Sequence, residues 1–364
     1  MNQAIRLANL GLYTTRPNPR VGCLLVKEQQ VIAESWHQRA GGPHAERIAL
    51  NIAGDRAKGA TAYVSLEPCC HYGRTPPCSL ALIDAGIKRV IAAMLDPNPQ
   101  VQGNGINQLI ASGIEVTIGV LETQAKALNP GFIKRMTSGL PWVRCKLAMS
   151  LDGRTAPATK TQQYITSKEA RLDVQFLRAR SDAIITGIET IIADDPALTV
   201  RLNAEALPGL MPTYNTPLQP LRVILDTYLR TPITAKVFKQ PGQTWILHAI
   251  DDPILITNLE IAGAKLHQLP QYNGRLDLIA VLQFLAHLEV NEVLLESGHT
   301  LAGNALEMGL VDELIIYMAP QLMGNTGIGL VSIPKLDGGR KPLSLNISDI
   351  RAIGKDWRIT AQPK

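Results

Sequence analysis

The chain has 364 residues, 46% of them hydrophobic, and a formal net charge of +5 spread along its length. That length suggests two domains, each with enough apolar material for a core. The absence of a basic run, with aromatics at only 4%, argues against a nucleic-acid partner and leaves a small phosphorylated substrate compatible with the charge.

Residues 1–120 alternate strand and helix signals. Residues 21–26 read as a buried strand, 44–51 as a helix, 61–66 as the next strand, 78–85 as a helix, 88–93 as a strand and 104–111 as a helix. Gly103-Asn104-Gly105 reads as the turn before that last helix. Such alternation places helices on the faces of a sheet, an α/β fold. The stretch from Asn129-Pro130-Gly131 to Gly139-Leu140-Pro141 reads as a boundary, dividing the chain into domains at 1–140 and 141–364. A strand at 142–149 opens the second domain. Thr166 with Glu169 forms a capping box before a helix whose stripe is Ala170, Val174 and Leu177. Further strands are expected at 183–186, 222–225, 244–247, 293–295 and 314–317, and residues 203–220, with Pro208, Pro212, Pro217 and Pro220, read as a surface loop. No apolar run reaches the ~18 residues that a membrane helix needs. Residues 1–6 have no charged-then-apolar leader.

Two stretches carry the chemistry: Pro43-His44-Ala45-Glu46 and Glu67-Pro68-Cys69-Cys70-His71-Tyr72-Gly73-Arg74-Thr75-Pro76-Pro77-Cys78. His44, Cys69 and Cys78 offer a metal one imidazole and two thiolates. A zinc ion with three protein ligands keeps a fourth position open for water, whose pKa then falls from ~15.7 to ~7. Glu46 lies two residues from the imidazole, and in zinc base deaminases such a Glu is the acid and base and not a ligand. The plainer alternatives are a satisfied core His, small core Cys residues, or half of a structural site of four Cys. That last site would leave Glu46 without a role. Its fourth ligand is also hard to supply: Cys70 adjoins Cys69, and Cys23 and Cys145 lie in strand-like runs. Cysteines gathered in a metal motif, and not in a disulfide framework, fit a reducing cytoplasm.

These residues carry a resemblance. Asn18-Pro19-Arg20-Val21-Gly22-Cys23, the His44-Ala45-Glu46 triplet and the run from Glu67 to Cys78 resemble the riboflavin biosynthesis deaminases. Lys146-Leu147-Ala148-Met149-Ser150-Leu151-Asp152-Gly153-Arg154, Asp194-Asp195-Pro196-Ala197-Leu198-Thr199-Val200-Arg201 and Glu296-Ser297-Gly298 resemble the matching reductases. Nearly the whole chain is similar to the bifunctional family that joins diaminohydroxyphosphoribosylaminopyrimidine deaminase to 5-amino-6-(5-phosphoribosylamino)uracil reductase.

The resemblance implies a cytidine-deaminase-like N-terminal fold and a dihydrofolate-reductase-like C-terminal fold. It implies zinc at His44, Cys69 and Cys78, with Glu46 as the proton shuttle, and NADPH as the second cofactor. It places Asn18, His37, His71 and Arg74 by the pyrimidine, ribose or phosphate of the first substrate. In the second half it places Gln162, Leu198, Arg201 and Glu296 by the substrate. Ala148, Tyr164, Thr190, Asp194 and the run Gly298, His299, Thr300, Leu301, Ala302, Gly303, Asn304 fall by the dinucleotide. The last segment also makes physical sense, because free amides at a helix start suit a pyrophosphate; the Gly-Xaa-Gly-Xaa-Xaa-Gly fingerprint is absent. The implied reactions are hydrolytic deamination of 2,5-diamino-6-ribosylamino-4(3H)-pyrimidinone 5′-phosphate, then reduction of the ribosyl side chain to ribityl, with no evident proton donor in the second half. A homo-oligomer, dimer or tetramer, is expected, without nucleic acid or membrane. Two rival readings are a nucleic-acid base deaminase, which would favour Cys-Xaa-Xaa-Cys, and a zinc-stabilised nucleotide sensor, which would have no use for Glu46.

Overall fold

The computed structural model describes residues 1–72, 76–157, 164–209, 217–333 and 341–364. The chain divides into two units: Met1–Leu140 with Asn203–Pro217, and Pro141–Leu202 with Leu218–Lys364.

The first unit contains α1 (Asn2–Asn9), β1 (Gly22–Lys27), β2 (Gln30–Trp36), α2 (Ala45–Ala53), β3 (Thr61–Val64), α3 (Cys78–Asp84), β4 (Arg89–Ala92), α4 (Asn104–Ala111), β5 (Glu115–Ile118), α5 (Glu122–Leu128) and α6 (Pro130–Ser138). Its sheet has the order β2-β1-β3-β4-β5. β1 is antiparallel to β2 and β3, while β3, β4 and β5 run parallel. Ala45, Ala49 and Ala53 form the buried stripe of α2 and join Cys23, Leu25, Val64, Leu82, Val90 and Leu109 in one core. Small side chains on that stripe let the helix lie close to the sheet, which brings the start of α2 to the strand ends.

The stretch expected to be a boundary holds a helix, and the division between the units falls at its end, between Leu140 and Pro141. Pro130 stands in the first turn of α6, where its missing N–H costs nothing, and Gly139 closes the helix in the left-handed region at φ 70°. The same punctuation thus marks both a helix and the division that follows it.

The second unit contains β6 (Trp142–Ser150), β7 (Arg154–Ala156), α7 (Lys168–Arg180), β8 (Ala183–Gly187), α8 (Ile188–Asp194), β9 (Leu221–Leu225), β10 (Thr244–His248), α9 (Pro253–Ile261), β11 (Ala264–Gln268), β12 (Gln271–Tyr272), β13 (Arg275–Leu276), α10 (Leu278–His287), β14 (Glu292–Glu296), α11 (His299–Glu307), β15 (Glu313–Ala319), β16 (Ile328–Gly329), β17 (Leu345–Ile353) and β18 (Asp356–Pro363). The main sheet has the order β11-β10-β9-β8-β14-β6-β15-β18-β17. Strands β11 through β15 are parallel, and the β18–β17 hairpin adds two antiparallel strands. On one face Ile184, Ile224, Ile246, Leu294 and Ile315 meet Leu177 of α7, Ile191 of α8 and Leu259 of α9. On the other, Val143, Ile185 and Leu295 share an apolar cavity with Leu282 of α10 and Leu301 of α11.

The expected stripe of α7 is present, but its cap differs. Ser167, one residue after Thr166, accepts the Ala170 N–H at 3.2 Å. Asp356 accepts the Ser167 N–H at 2.7 Å and fixes that residue as the cap; the Thr166 carbonyl accepts from Arg171.

Within the expected surface loop, Leu207 is only 3% exposed, and a Cβ on Gly209 would lie 1.9 Å from the Leu10 carbonyl oxygen. Residues 203–209 thus pack as part of the first unit. A fragment from Gly139 to Lys364 should expose this segment and aggregate. Replacing 203–217 with a short Gly/Ser linker should yield a monodisperse fragment, as read by size-exclusion chromatography.

Candidate functional site

His44 caps the start of α2, and Glu46 lies in that helix's first turn. Cys78 is the first residue of α3, and Cys69 lies on the loop that leaves β3. The ligand atoms of His44, Cys69 and Cys78 converge within 4.8 Å of one another. His44 Nδ1 is 3.5 Å from Cys69 Sγ and 3.3 Å from Cys78 Sγ. Hydrogen bonding from Cys78 draws the Cys69 thiol down to about 4. An imidazole with two sulfurs is a zinc donor set. Glu46 is buried beside it, pushed up to about 7 first by burial, and its Oε2 has no hydrogen-bond partner among the described residues. A buried oxygen without a partner calls for an explanation; a proton-carrying role beside a metal-held water provides one. The residues present therefore fit zinc. Cys70 stands outside the cluster, its Sγ donating to the Gln100 carbonyl at 3.8 Å.

The Cys69 loop is held by a residue to which the sequence reading gave no role. Glu67 Oε1 accepts the N–H groups of Gly105 and Ile106 at 3.0 and 3.2 Å. Its Oε2 accepts those of Gly103 and Asp96 at 2.9 and 3.1 Å. Three of these amides belong to the start of α4, where a helix leaves donors unpaired and favours negative charge. A Cβ on Gly105 would lie 2.0 Å from the Pro68 carbonyl oxygen, so the helix start packs directly against the residue preceding Cys69. Glu67→Gln replaces one acceptor oxygen with a donor and strands two buried amides. It should cost roughly 2–4 kcal/mol, read as a fall in melting temperature together with a lower zinc content.

His37 is 2% exposed. Its Nδ1 lies 3.1 Å from the Pro43 carbonyl oxygen, which can only accept, and its Nε2 lies 3.1 Å from Asn18 Nδ2. Those partners assign the hydrogen to Nδ1 and make Nε2 an acceptor. Burial pushes the imidazole down to about 4, so it stays neutral. The ring stands edge-on to His44 at 5.3 Å. The structure thus brings Asn18 and His37 to the metal-ligand cluster. His71 is exposed on the ligand loop, and Arg74 lies outside the described residues.

In the second unit β14 lies between β8 and β6, so their C-terminal ends adjoin, and α8 and α11 start there. In open α/β sheets, ligands bind outside such strand ends. Glu296 ends β14, 9% exposed. Arg178 grips it with Nε at 2.6 Å and Nη2 at 2.9 Å, and Lys146 Nζ lies 3.8 Å away. Against the upward push of burial, Arg178 and then Lys146 hold the Glu296 carboxyl at about 2, with Arg201 adding to the effect. Arg201 is exposed, and its main-chain N–H donates to Gln175 Oε1 at 2.9 Å. Tyr164 lies under the Arg171 guanidinium at 4.4 Å. The Leu198 side chain is buried in the core at a strained φ of 49°. Gln162 lies outside the described residues.

Arg178 and Lys146 were missed as site residues. The available signal was an arginine four residues after Val174, on the apolar stripe of α7, and a lysine among the inward positions of a buried strand.

Ala148 sits on β6, opposite Tyr317. Thr190 and Asp194 belong to α8, with Asp194 exposed at its last position. Gly298 caps α11 without a side-chain cap, and nothing lies within 4 Å of where its Cβ would be. The first amides of α11 are therefore open to an anion, which fits a dinucleotide phosphate. His299 and Thr300 side chains bond each other at 3.3 Å. Leu301 reaches towards Gly187 and Asn304 is half-buried. Ala302 and Gly303 are buried, and a Cβ on Gly303 would fall 1.9 Å from the Ser332 carbonyl oxygen.

The fold and these two sites define a chain that joins a zinc-type deaminase domain to a reductase domain. Residues 1–94 match the family described as cytidine and deoxycytidylate deaminase zinc-binding region, and residues 141–359 match the RibD C-terminal domain. The chain is 46% identical over 362 residues to riboflavin biosynthesis protein RibD of Escherichia coli, covering 98% of this chain and 96% of that protein. It is 45% identical over 366 residues to RibD of Haemophilus influenzae, covering 100% and 96%. The solved structure of Acinetobacter baumannii RibD matches with a TM-score of 0.88 at 42% identity, covering 100% of this chain and 97% of that one. A diaminohydroxyphosphoribosylaminopyrimidine deaminase/5-amino-6-(5-phosphoribosylamino)uracil reductase from Thermotoga maritima matches at 0.82 and 30% identity, covering 100% and 97%. The chain belongs to the RibD family of riboflavin biosynthesis proteins. The expected pairing of a deaminase fold with a reductase fold is the one present.

The Glu296 cluster predicts a pH dependence. Its folded pKa of about 2 lies below the ordinary 4.5, so the stability it contributes is complete above pH 4.5 and is lost as pH falls towards 2. Urea melts over that range should show the loss. Glu296→Gln should flatten that part of the profile and, by stranding the buried Arg178, cost about 3–5 kcal/mol at neutral pH.

Proposed function

We propose that the chain carries out two consecutive steps of riboflavin biosynthesis on one phosphorylated pyrimidine. The first is hydrolytic deamination of 2,5-diamino-6-ribosylamino-4(3H)-pyrimidinone 5′-phosphate. The second is NADPH-dependent reduction of the ribosyl side chain of the resulting 5-amino-6-(5-phosphoribosylamino)uracil. The observation that carries the reading is the buried Glu46 Oε2, without a hydrogen-bond partner among the described residues, beside three converging metal donors.

His44, Cys69 and Cys78 would hold zinc, which would supply a water that ionises near pH ~7. Glu46 Oε2 takes up a proton and returns it to the departing amino group, the acid–base role of this residue in zinc base deaminases. Asn18, its amide oriented by neutral His37, contacts the pyrimidine, with His71 and Arg74 on the phosphoribosyl side. In the second unit the open amides at the start of α11, within the run Gly298 to Asn304, would hold NADPH, together with Ala148, Tyr164, Thr190 and Asp194; the cofactor would supply a hydride. Arg201, beside Arg178 and Lys146, binds the substrate's anionic end with a planar fork suited to phosphate. Glu296, Leu198 and Gln162 orient the rest.

No described helix is long and apolar enough to cross a membrane, and all five cysteines are free, which suits a reducing cytoplasm. Glu46→Gln should retain zinc and slow ammonia release by ~10²–10⁴-fold. Its NADPH oxidation on already deaminated substrate should stay at the wild-type rate. Ammonia release within tenfold of wild type would show that another group moves the proton.

A further inference from the structure

The turn between β6 and β7, Ser150-Leu151-Asp152-Gly153-Arg154, closes on itself. The Gly153 N–H donates to the Ser150 carbonyl at 3.0 Å. The Ser150 hydroxyl accepts the Arg154 N–H at 3.0 Å and donates to Asp152 Oδ1. Asp152 is not among the residues expected at either site, yet a distant stretch of chain is tied to it. Met323 N lies 3.1 Å from both of its carboxylate oxygens, and Oδ2 also accepts the Gly324 N–H at 2.7 Å. These donors, Ser150 first, hold the carboxyl down at about 2, so it stays an anion at neutral pH.

Residues 320–332 form a strap that runs from the end of β15, past this turn, to the first turn of α11. The Gln321 carbonyl accepts the Leu151 N–H at 2.8 Å, and Gln321 Nε2 donates to the Ile165 carbonyl at 3.2 Å, next to Tyr164. After the contacts with Asp152, β16 pairs antiparallel with β7. The Ser332 N–H then donates to the His299 carbonyl at 3.1 Å, and the Ser332 carbonyl comes so close to Gly303 that no side chain fits there. The strap thus ends beside the open amides of α11. Its first half has little apolar burial to hold it: Gln321, Leu322, Gly324, Asn325 and Thr326 are all exposed. Ordering that half costs backbone entropy, and the hydrogen bonds to Asp152 and Gln321 offset it.

We propose that Asp152 is a positioning residue for the reduction: by fastening the strap it preorganises the dinucleotide site at the start of α11. The inference rests on the reading of that helix start as the NADPH site. A strap already in place spares the cofactor the cost of ordering it. Without the fastening, binding itself must close the strap, so affinity falls. The complex once formed keeps its geometry and turns over as before. Electrostatics alone predicts the opposite sign. Asp152 is an anion on an element that reaches a phosphate site, and deleting its charge would relieve repulsion and tighten binding.

The test compares Asp152→Asn with the wild-type full chain. The amide keeps the size, but it has one acceptor oxygen, and its NH2 group would face a main-chain donor. Titration of NADPH fluorescence should give a Kd about tenfold higher, the scale of one hydrogen bond to a charged group. Reduction of deaminated substrate should keep its kcat, with the KM for NADPH rising. Asp152→Glu, which restores two charged acceptors, should recover part of the affinity. Asp349→Asn, which removes an equal charge from the β17–β18 hairpin, should leave the Kd unchanged. Hydrogen exchange reads the strap directly. The Met323, Gly324 and Ser332 amides should lose protection together in Asp152→Asn and, by reciprocity, gain it when NADPH binds the wild type. An Asp152→Asn Kd equal to or below that of the wild type overturns the proposal, as does a fall in kcat with the Kd unchanged. Strap amides in the wild type that do not respond to bound NADPH overturn it too, whether or not the variants fold. A wild type that binds no NADPH overturns instead the reading of α11 as the cofactor site, and this proposal with it.

Discussion

A helix begins with main-chain amides that nothing inside the helix can satisfy, and in both units that constraint decides where the chemistry sits. At α4 the open amides are taken by Glu67, whose carboxylate ties the helix start to the loop carrying Cys69. At α2 and α3 the starts deliver His44, Glu46 and Cys78 to one point. At α11 the start is left open by Gly298. Parallel strands gather these starts along one edge of each sheet, because every crossover helix returns to begin a new strand at the same end. The metal donors and the open amides are in this sense products of topology before they are products of chemistry.

The face of β14 that meets α7 carries a second organising contrast. Glu292 and Glu296 stand at its two ends on the same side, with Leu294 between. Glu292 is matched by Arg144, at 3.1 Å, and by Arg180 at 3.5 Å, and Arg144 also pairs with Glu313; Arg144 and Glu292 at its centre are buried in the sheet. Glu296 is likewise paired, but its neighbourhood includes Arg201, which reaches solvent. Paired burial of charge contributes little net stability by itself. The first cluster fits a structural role, while the second leaves a cation facing outward where an anionic substrate can meet it.

What the sequence disclosed depended on whether the signal was local. Strands β1, β3, β4, β8, β9, β10, β14 and β15 were legible from short apolar runs, and the ligands were legible because the chemistry of a metal site restricts residue types. The roles of Glu67 and Arg178 were hidden because their partners lie far along the chain, Glu67 with the α4 start and Arg178 with Glu296. The boundary was legible at Leu140–Pro141, but helix α6 before it was not, because Pro130 and Gly139 mark a helix's start and stop as readily as a domain's edge. The return of Asn203–Pro217 to the first unit left no trace in periodicity at all, since its placement rests on Leu207 and on the close approach of Gly209 to Leu10.

The β17–β18 register shifts between Ile347 and Asp349, and this bulge at Ser348 sets a rule for how this part of the chain can vary. Ser348 faces no residue across the strand, and its hydroxyl closes onto the Thr360 carbonyl at 3.2 Å. Its identity therefore matters little, while its presence matters a great deal. Arg351 lies on the α7 side with Arg358, and Ile350 on the opposite, exposed side; removing one residue here would exchange them, or would invert the residues on the other side of the bulge. The hairpin can absorb changes of letter at this position but not a change of count, so it behaves as a reading frame written in side-chain direction.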